Sequence, residues 1–160
     1  MCKEQKNVTI MKKILILLFI LSSCALPKKG GEINTHKVAG IENVAVKGYD
    51  VVAYFTEKKP VKGMSAYSYE WSDALWFFKN QTNLNKFKAS PTKYAPQYGG
   101  YCAYGVSVPQ QKIDIEADAW HIHNGKLYLN YTPATQNIWL EDKAGHIEAA
   151  DEHWPTVKNQ

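Results

Sequence analysis

The amino-acid sequence predicts an α+β fold, and three observations support that prediction. Two aromatic segments alternate apolar and polar residues around turn-forming pairs, which is typical of β-hairpins. A segment with polar caps lies between them, and a segment opened by Thr132-Pro133 follows them, which favours helices. With 160 residues, of which 45% are hydrophobic, the chain can bury one core. We therefore expect a small single domain with two antiparallel hairpins, a short central helix and a C-terminal helix.

The first hairpin is predicted from the segment AYSYEWSDALWFFKN. Aromatic residues recur with period two between Tyr67 and Trp71, which places them on one face of a strand. The turn formers Ser72 and Asp73 follow, and a second aromatic run ends at Phe78. One face of this hairpin is therefore expected in the core.

The central helix is predicted from the segment NQTNLNKFKASPTKYAP. Leu84 and Phe87 lie three residues apart after polar residues that suit a helix N-terminus. Pro91 and Pro96 cannot continue a helix, because proline lacks the backbone N–H. The segment therefore predicts a short helix, a break and one further helical turn.

The second hairpin has the strongest local signal, Asn124-Gly125, because a type I′ turn needs a positive φ at both central residues. Pairing across this turn gives an apolar face with the pairs Ile122–Leu127 and Trp120–Leu129. It gives a polar face with the pairs His121–Tyr128 and His123–Lys126.

The C-terminal helix is predicted to start at Thr132-Pro133, an N-cap followed by a first-turn proline. One stripe of this helix is apolar and is expected to pack on the domain: Trp139, Ile147, Ala150 and Trp154. Gly145 is expected to weaken or bend the helix near its centre.

The N-terminal region predicts export and lipidation. From Met11, two lysines precede an apolar run from Ile14 to Leu21, which is the order of a secretory signal and too short for a membrane span. The ending Leu21-Ser22-Ser23-Cys24 resembles a bacterial lipobox, after which Cys24 would carry lipid. We expect a lipoprotein of the cell envelope, in the outer membrane and facing the periplasm.

The charge of the chain excludes one class of partner. Four of the 19 lysines and one of the 15 acidic residues precede Cys24, so the remaining chain is close to neutral. The sequence contains no arginine, the residue that most often reads bases and phosphates in a forked geometry. Nucleic acid is not an expected partner.

Three separated motifs resemble the YHS-domain family in its small exported bacterial form. They are GYDVVAYF (48–55), NKFKASPTKYAPQYGGYCAYGVS (85–107) and GKLYLNY (125–131). The likeness covers about Ile41 to Trp154 and implies an accessory domain for which transition-metal binding has been proposed. The family-type metal would be held by cysteine, and this chain has one candidate, Cys102, where cysteine-rich members have several.

Cys102 has three interpretations. It is a thiolate ligand for copper or zinc, a small buried hydrophobic residue, or a reactive thiol of an enzyme. Gly99-Gly100 precedes it and allows a tight bend at which the thiol could be presented. We give metal binding first place because of the resemblance, with a structural or partner-binding module as the alternative and a thiol enzyme third.

His121 and His123 are further candidate metal ligands. They alternate on one predicted strand, so both imidazoles leave the same face about 7 Å apart. The alternative is a solvated outer face of the hairpin. The remaining histidines, His36, His146 and His153, are interpreted as surface residues.

Tyr49, Asp50 and Tyr101 are candidates for the lining of a pocket around Cys102. The structural alternative for Tyr49 and Asp50 is a capped turn that starts a short helix. No CxxC pair, phosphate-binding glycine loop or metalloprotease motif is present, so a catalyst is not favoured. The predicted organisation is a leader (1–23), a flexible tether (24–40), a YHS-like domain (41–154) and a tail (155–160).

Overall fold

A four-stranded sheet and a separate two-stranded hairpin form the β-structure of residues 32–160, the part of the chain that the computed structural model describes. The strands are β1 (Thr35–Val38), β2 (Ile41–Ala45), β3 (Met64–Trp71), β4 (Ala74–Phe78), β5 (Glu116–His123) and β6 (Lys126–Asn130). The helices are α1 (Val51–Thr56), α2 (Gln81–Ala89), α3 (Pro91–Tyr94), α4 (Ala103–Ser107), α5 (Pro133–Glu141) and α6 (Lys143–Val157). The predicted α+β class is confirmed. The predicted signal peptide and Cys24 lie outside the described residues.

The four-stranded sheet has the order β1-β2-β4-β3, and only half of it is the predicted hairpin. That hairpin, β3 with β4, is confirmed: Trp71 pairs with Ala74, and Ser72 and Asp73 both have positive φ, as a two-residue turn requires. Residues 35–45 form the other two strands, β1 and β2, which pair antiparallel, and β2 runs parallel to β4. The last part of the predicted tether (24–40) therefore belongs to the sheet.

Helix α1 begins at a buried carboxylate. Asp50 is fully buried and accepts hydrogen bonds from the backbone N–H groups of Val52 and Ala53. Its second oxygen accepts from the backbone of Lys79 and from Asn83 Nδ2. The capped turn predicted at Tyr49-Asp50 is therefore present, and the same side chain ties α1 to α2.

The central helical segment follows the prediction. Asn80 caps α2 by accepting from the backbone N–H of Asn83, and α3 begins at Pro91 after the break. Phe87 of α2 is fully buried. Its ring packs against four aromatic residues of the first hairpin, Tyr69, Trp71, Trp76 and Phe78.

The β5–β6 hairpin has the predicted register. Asn124 and Gly125 both have positive φ, and the predicted cross-strand pairs are present: Trp120–Leu129, His121–Tyr128, Ile122–Leu127 and His123–Lys126. Because side chains alternate along a strand, the two faces of this hairpin meet different parts of the protein. Leu127 and Leu129 enter the larger core, whereas Tyr128 enters a second cluster with Trp139.

The C-terminal region forms two helices, so the prediction of one C-terminal helix was wrong. The break falls at Asp142, whose φ and ψ are not helical and whose carboxylate accepts from the backbone N–H of Gly145. A Cβ at Gly145 would overlap this carboxylate, so glycine there permits the cap and does not bend the centre of a helix. Helix α6 continues to Val157, into the predicted tail (155–160).

Candidate functional site

A left-handed turn leads the chain into Cys102. Tyr98, Gly99 and Gly100 have φ values of +53°, +62° and +81°. The carbonyl oxygen of Glu32 lies where a Cβ of residue 99 would be, so only glycine fits. The tight bend predicted at Gly99-Gly100 is present. The carbonyl oxygen of Gly99 accepts a hydrogen bond from the backbone N–H of Asn34 at 2.8 Å.

The sulfur of Cys102 is buried and makes three hydrogen bonds. The residue is 1% exposed and caps α4, with Sγ accepting the backbone N–H of Gly105 at 3.3 Å. The backbone N–H of Tyr131 donates to the same sulfur at 3.2 Å. The thiol lies 3.7 Å from Asn130 Oδ1, to which it donates. This one side chain therefore joins α4 to the end of β6.

The hydrogen bonds around Asn130 favour the protonated thiol. The backbone N–H of Tyr104 donates to Asn130 Oδ1, which fixes this oxygen as the amide atom that faces the sulfur. A thiolate would set two acceptors against each other. Burial raises the pKa of Cys102, and the N–H groups of Gly105 and Tyr131 oppose this effect in part. The thiol is therefore enclosed, as one of its three interpretations expected, and protonated at neutral pH.

The residues around Cys102 do not fit a metal centre. The three groups that contact its sulfur are two backbone N–H groups and an amide oxygen that is already an acceptor. Within residues 32–160, no group of three or more histidine, cysteine, aspartate or glutamate residues is arranged to hold a metal ion. A metal on this sulfur would require the loss of the hydrogen bond that the thiol donates to Asn130.

The structure places His121 and His123 together and apart from Cys102. Their rings stack with centroids 6.5 Å apart on the polar face of the hairpin, as predicted. His121 also contacts the ring of Trp139, which belongs to the second cluster, whereas Cys102 belongs to the larger core beside Leu129. Burial, with smaller effects of Lys143 and His123, lowers the pKa of His121. The two histidines and the cysteine do not form one site.

The predicted pocket lining is dispersed as well. The hydrogen bonds of Asp50 all go to α1, Lys79 and Asn83. The ring of Tyr49 lies under the ammonium group of Lys62, 3.8 Å from it. Tyr101 packs on Trp154, and burial, together with the charge of Asp114, raises its pKa. None of these three side chains hydrogen-bonds to Cys102 in the described part of the chain.

All three histidines interpreted as surface residues have defined partners, and His36 Nε2 lies 3.3 Å from Asp114 Oδ1. His146 Nδ1 lies 3.1 Å from Ser107 Oγ, and its ring contacts Tyr104. His153 Nδ1 lies 3.1 Å from the carbonyl oxygen of Ser107. The side chains of His146 and His153 therefore fasten α6 to the C-terminal end of α4.

An open cleft between the second hairpin and α6 collects charged groups that the sequence analysis did not bring together. Its volume is about 420 Å³. We name it the β5–α6 cleft and define it by the residues that carry its chemistry: His123, Lys126, Tyr128, Ile147, Glu148 and Asp151. Helix α6 contributes residues 144, 147, 148 and 151, which lie on one face of the helix. This helical spacing is the one sequence signal that indicates the α6 wall of the cleft.

The fold and these two places define an α+β domain with an enclosed cysteine and an open, charged cleft. No protein-family model, curated protein or solved structure matches the chain. The similarity to YHS domains therefore stays a prediction from its three motifs. Within residues 32–160, no helix has the length and apolar character needed to cross a membrane.

Proposed function

We propose that this chain is a non-catalytic binding module of the cell envelope, held at the membrane by lipid on Cys24, in which Cys102 has a structural role. The observation that carries the proposal is the environment of the Cys102 sulfur. It accepts two backbone N–H groups, and its proton is directed to Asn130. Every hydrogen-bonding position of this thiol is used to join α4 and β6.

The same contacts weigh against a thiol enzyme. A cysteine nucleophile reacts as the thiolate, which needs a lowered pKa and a nearby base. Burial raises the pKa of Cys102, and no histidine is among its hydrogen-bond partners in the described residues. Solvent access is also absent, because the residue is fully enclosed in the core.

The β5–α6 cleft is the surface on which we place binding. It is concave and open, and its walls come from two different elements, the hairpin and α6. Small-molecule sites usually have volumes of roughly 300–1,000 Å³ and combine apolar floors with a few polar groups. The cleft has this character, since Tyr128 and Ile147 adjoin Lys126, Glu148 and Asp151.

Transition-metal binding through Cys102 is the second candidate. The observation in its favour is that the two backbone N–H groups that reach the sulfur would also stabilise a metal-bound thiolate. The orientation of Asn130 opposes it, because its oxygen cannot donate to a thiolate. Copper and zinc are the ions that a cysteine with imidazole partners would select.

A metal titration separates the two candidates. The full chain, purified without chelators, is assayed for bound metal and titrated with Cu(I) and Zn(II) beside Cys102→Ser and a His121→Ala/His123→Ala double variant. We expect no tight site in the wild type and the same weak response in all three proteins. One bound ion per chain that is lost in Cys102→Ser would overturn the structural role, and loss in both variants would add the histidines as ligands.

The anchor is tested separately through Cys24. Labelling with a palmitate analogue should depend on this residue, and Cys24→Ser should leave the membrane fraction. Cys102→Ser serves as the control, since it retains Cys24 and should still be labelled. An unlabelled, freely released wild type would contradict the anchor.

A further inference from the structure

The two walls of the β5–α6 cleft carry opposite charges. The hairpin wall contributes Lys126, and the helix wall contributes Glu148 and Asp151. Lys126 is exposed beside the turn, and Glu148 is exposed on α6. The charged ends of both side chains are therefore available to an occupant.

These opposite charges do not neutralise each other. Ion pairs among residues 32–160 join other groups, and none includes Lys126, Glu148 or Asp151. One oxygen of Asp151 accepts the hydroxyl of Tyr98 at 2.9 Å, while the side chains of Lys126 and Glu148 have no hydrogen-bond partner in this part of the chain. Two unpaired charges of opposite sign thus face a common cleft.

The cleft has an apolar strip between its charged walls. Tyr128 is only 2% exposed and packs on Trp139, and Ile147 of α6 is half-buried beside it. Burial, together with the charge of Asp151, raises the pKa of Tyr128, so its hydroxyl stays protonated at neutral pH. An occupant would meet a positive end, an apolar middle and a negative end.

We propose that the β5–α6 cleft binds a small zwitterion, with its carboxylate at Lys126 and its ammonium group at Glu148. The proposal rests on the proposed function as a binding module and names its ligand class. A ligand with a single charge would satisfy one wall and leave the other unpaired. A zwitterion with a short apolar spacer satisfies both walls and covers the exposed part of Ile147.

A series of amino acids with terminal charges provides the probe. Glycine, γ-aminobutyrate and ε-aminocaproate carry the same two charges on spacers of increasing length, whereas caproate and hexylamine carry one charge each. Binding to the full chain is measured by calorimetry and by NMR shifts of the cleft residues. We expect one spacer length to bind best, and both single-charge compounds to bind about tenfold more weakly or worse.

Charge variants test the two ends of the ligand. Lys126→Gln and Glu148→Gln should each weaken the best zwitterion about tenfold, while the exposed control variants Lys86→Gln and Glu152→Gln leave it unchanged. The swapped variant Lys126→Glu/Glu148→Lys should recover binding, because a zwitterion can enter the cleft in the reverse direction. A role in folding alone would not give this recovery.

The outcomes separate this inference from the proposed function. If the folded chain binds no member of the series, or if Lys126→Gln and Glu148→Gln bind as the wild type does, the zwitterion site is overturned. Equal binding of caproate, hexylamine and ε-aminocaproate would also overturn it. Failure of the structural role of Cys102 would be seen instead in the metal titration, which does not involve the cleft.

Discussion

Two regions beside strand β6 show opposite uses of polar chemistry. At the end of the strand, the sulfur of Cys102 contacts Asn130 and is enclosed and fully hydrogen-bonded. At the start of the strand, Lys126 faces an open cleft together with Glu148 of α6, and neither side chain has a partner among the described residues. The most reactive residue type in this chain, cysteine, therefore has a structural role, whereas the charged side chains of Lys126 and Glu148 are available for binding.

The two regions lie at opposite ends of the short strand β6. Successive side chains of β6 point to opposite faces, so Leu127 and Leu129 lie in the larger core while Lys126 and Tyr128 face α6. Asn130, whose side chain contacts the enclosed sulfur, lies at the other end of the same strand from Lys126. Changes in the enclosed region can be compared with matched changes in the open cleft.

The largest expected effect is that of Gly99→Ala in the enclosed region. A Cβ at this position would overlap the carbonyl of Glu32, and the positive φ adds strain, so we expect a loss of about 3 kcal/mol or more in the free energy of unfolding. Gly125→Ala is the matched control, because it also has positive φ but meets nothing within 4 Å. Its loss should be about 1 kcal/mol by chemical denaturation. Equal losses at the two glycines would remove the distinction between enclosed and open regions.

The second effect concerns the sulfur of Cys102. Cys102→Ala leaves the N–H groups of Gly105 and Tyr131 without an acceptor, so we expect a loss of about 2 kcal/mol in the free energy of unfolding. Cys102→Ser keeps a donor and an acceptor and should lose less, as measured by urea denaturation. A cysteine that only fills space would give the reverse order, because alanine is the better apolar replacement.

The third effect is the pH dependence of the unfolding free energy that Cys102→Ala loses relative to the wild type. Burial raises the pKa of Cys102, so above pH ~8.5 the thiol ionises in the unfolded chain before it does in the folded one. The stabilisation that Cys102 gives to the folded protein is therefore complete below that pH and falls as the pH rises. The difference in unfolding free energy between wild type and Cys102→Ala should shrink between roughly pH 8 and 10.

The difference in unfolding free energy between Cys102→Ala and Cys102→Ser provides the control, since neither alanine nor serine titrates in this range. It should stay constant across the same pH series. A wild-type advantage that grows with pH would indicate a thiolate in the folded protein and would support the metal-binding candidate.

The smallest expected effect is in the cleft. Lys126→Gln and Glu148→Gln remove exposed, unpaired charges, so each should change the free energy of unfolding by less than about 0.5 kcal/mol. Denaturation midpoints of both variants and of their double variant provide the measurement. A coupling of about 1 kcal/mol between the two sites would show that the side chains pair with each other in solution.

Local signals account for the parts of the fold that the sequence predicts well. Asn124-Gly125 determines the turn and the register of the pairs from Trp120 to His123 in the second hairpin, and Ser72-Asp73 does so for the pairs from Ser68 to Trp71 in the first. Strands β1 and β2 were missed because polar and apolar residues do not alternate in their segment and β2 joins the sheet through a parallel pairing with distant β4. The break at Asp142 was missed because its cap depends on the contact with Gly145.

The candidate site was less predictable because it depends on contacts between residues that are far apart in the sequence. Sequence spacing placed His121 and His123 on one face correctly, but it held no information on the distance of that face from Cys102. The cleft exists because α6, which packs on α4, comes beside the polar face of the hairpin, and this arrangement depends on tertiary contacts. Glu148 and Asp151 carry no motif that would have marked them in advance.

Reaction of the Cys102 thiol with Ellman's reagent is the most direct test of the account. The full chain carrying Cys2→Ser and Cys24→Ser retains Cys102 as its one cysteine. We predict that the native thiol reacts only as fast as the protein unfolds, that urea speeds the reaction in step with unfolding, and that Gly99→Ala accelerates it far more than Gly125→Ala. A native thiol that reacts like a free cysteine, or that Cu(I) or Zn(II) protects in the folded chain, would contradict the structural role of Cys102.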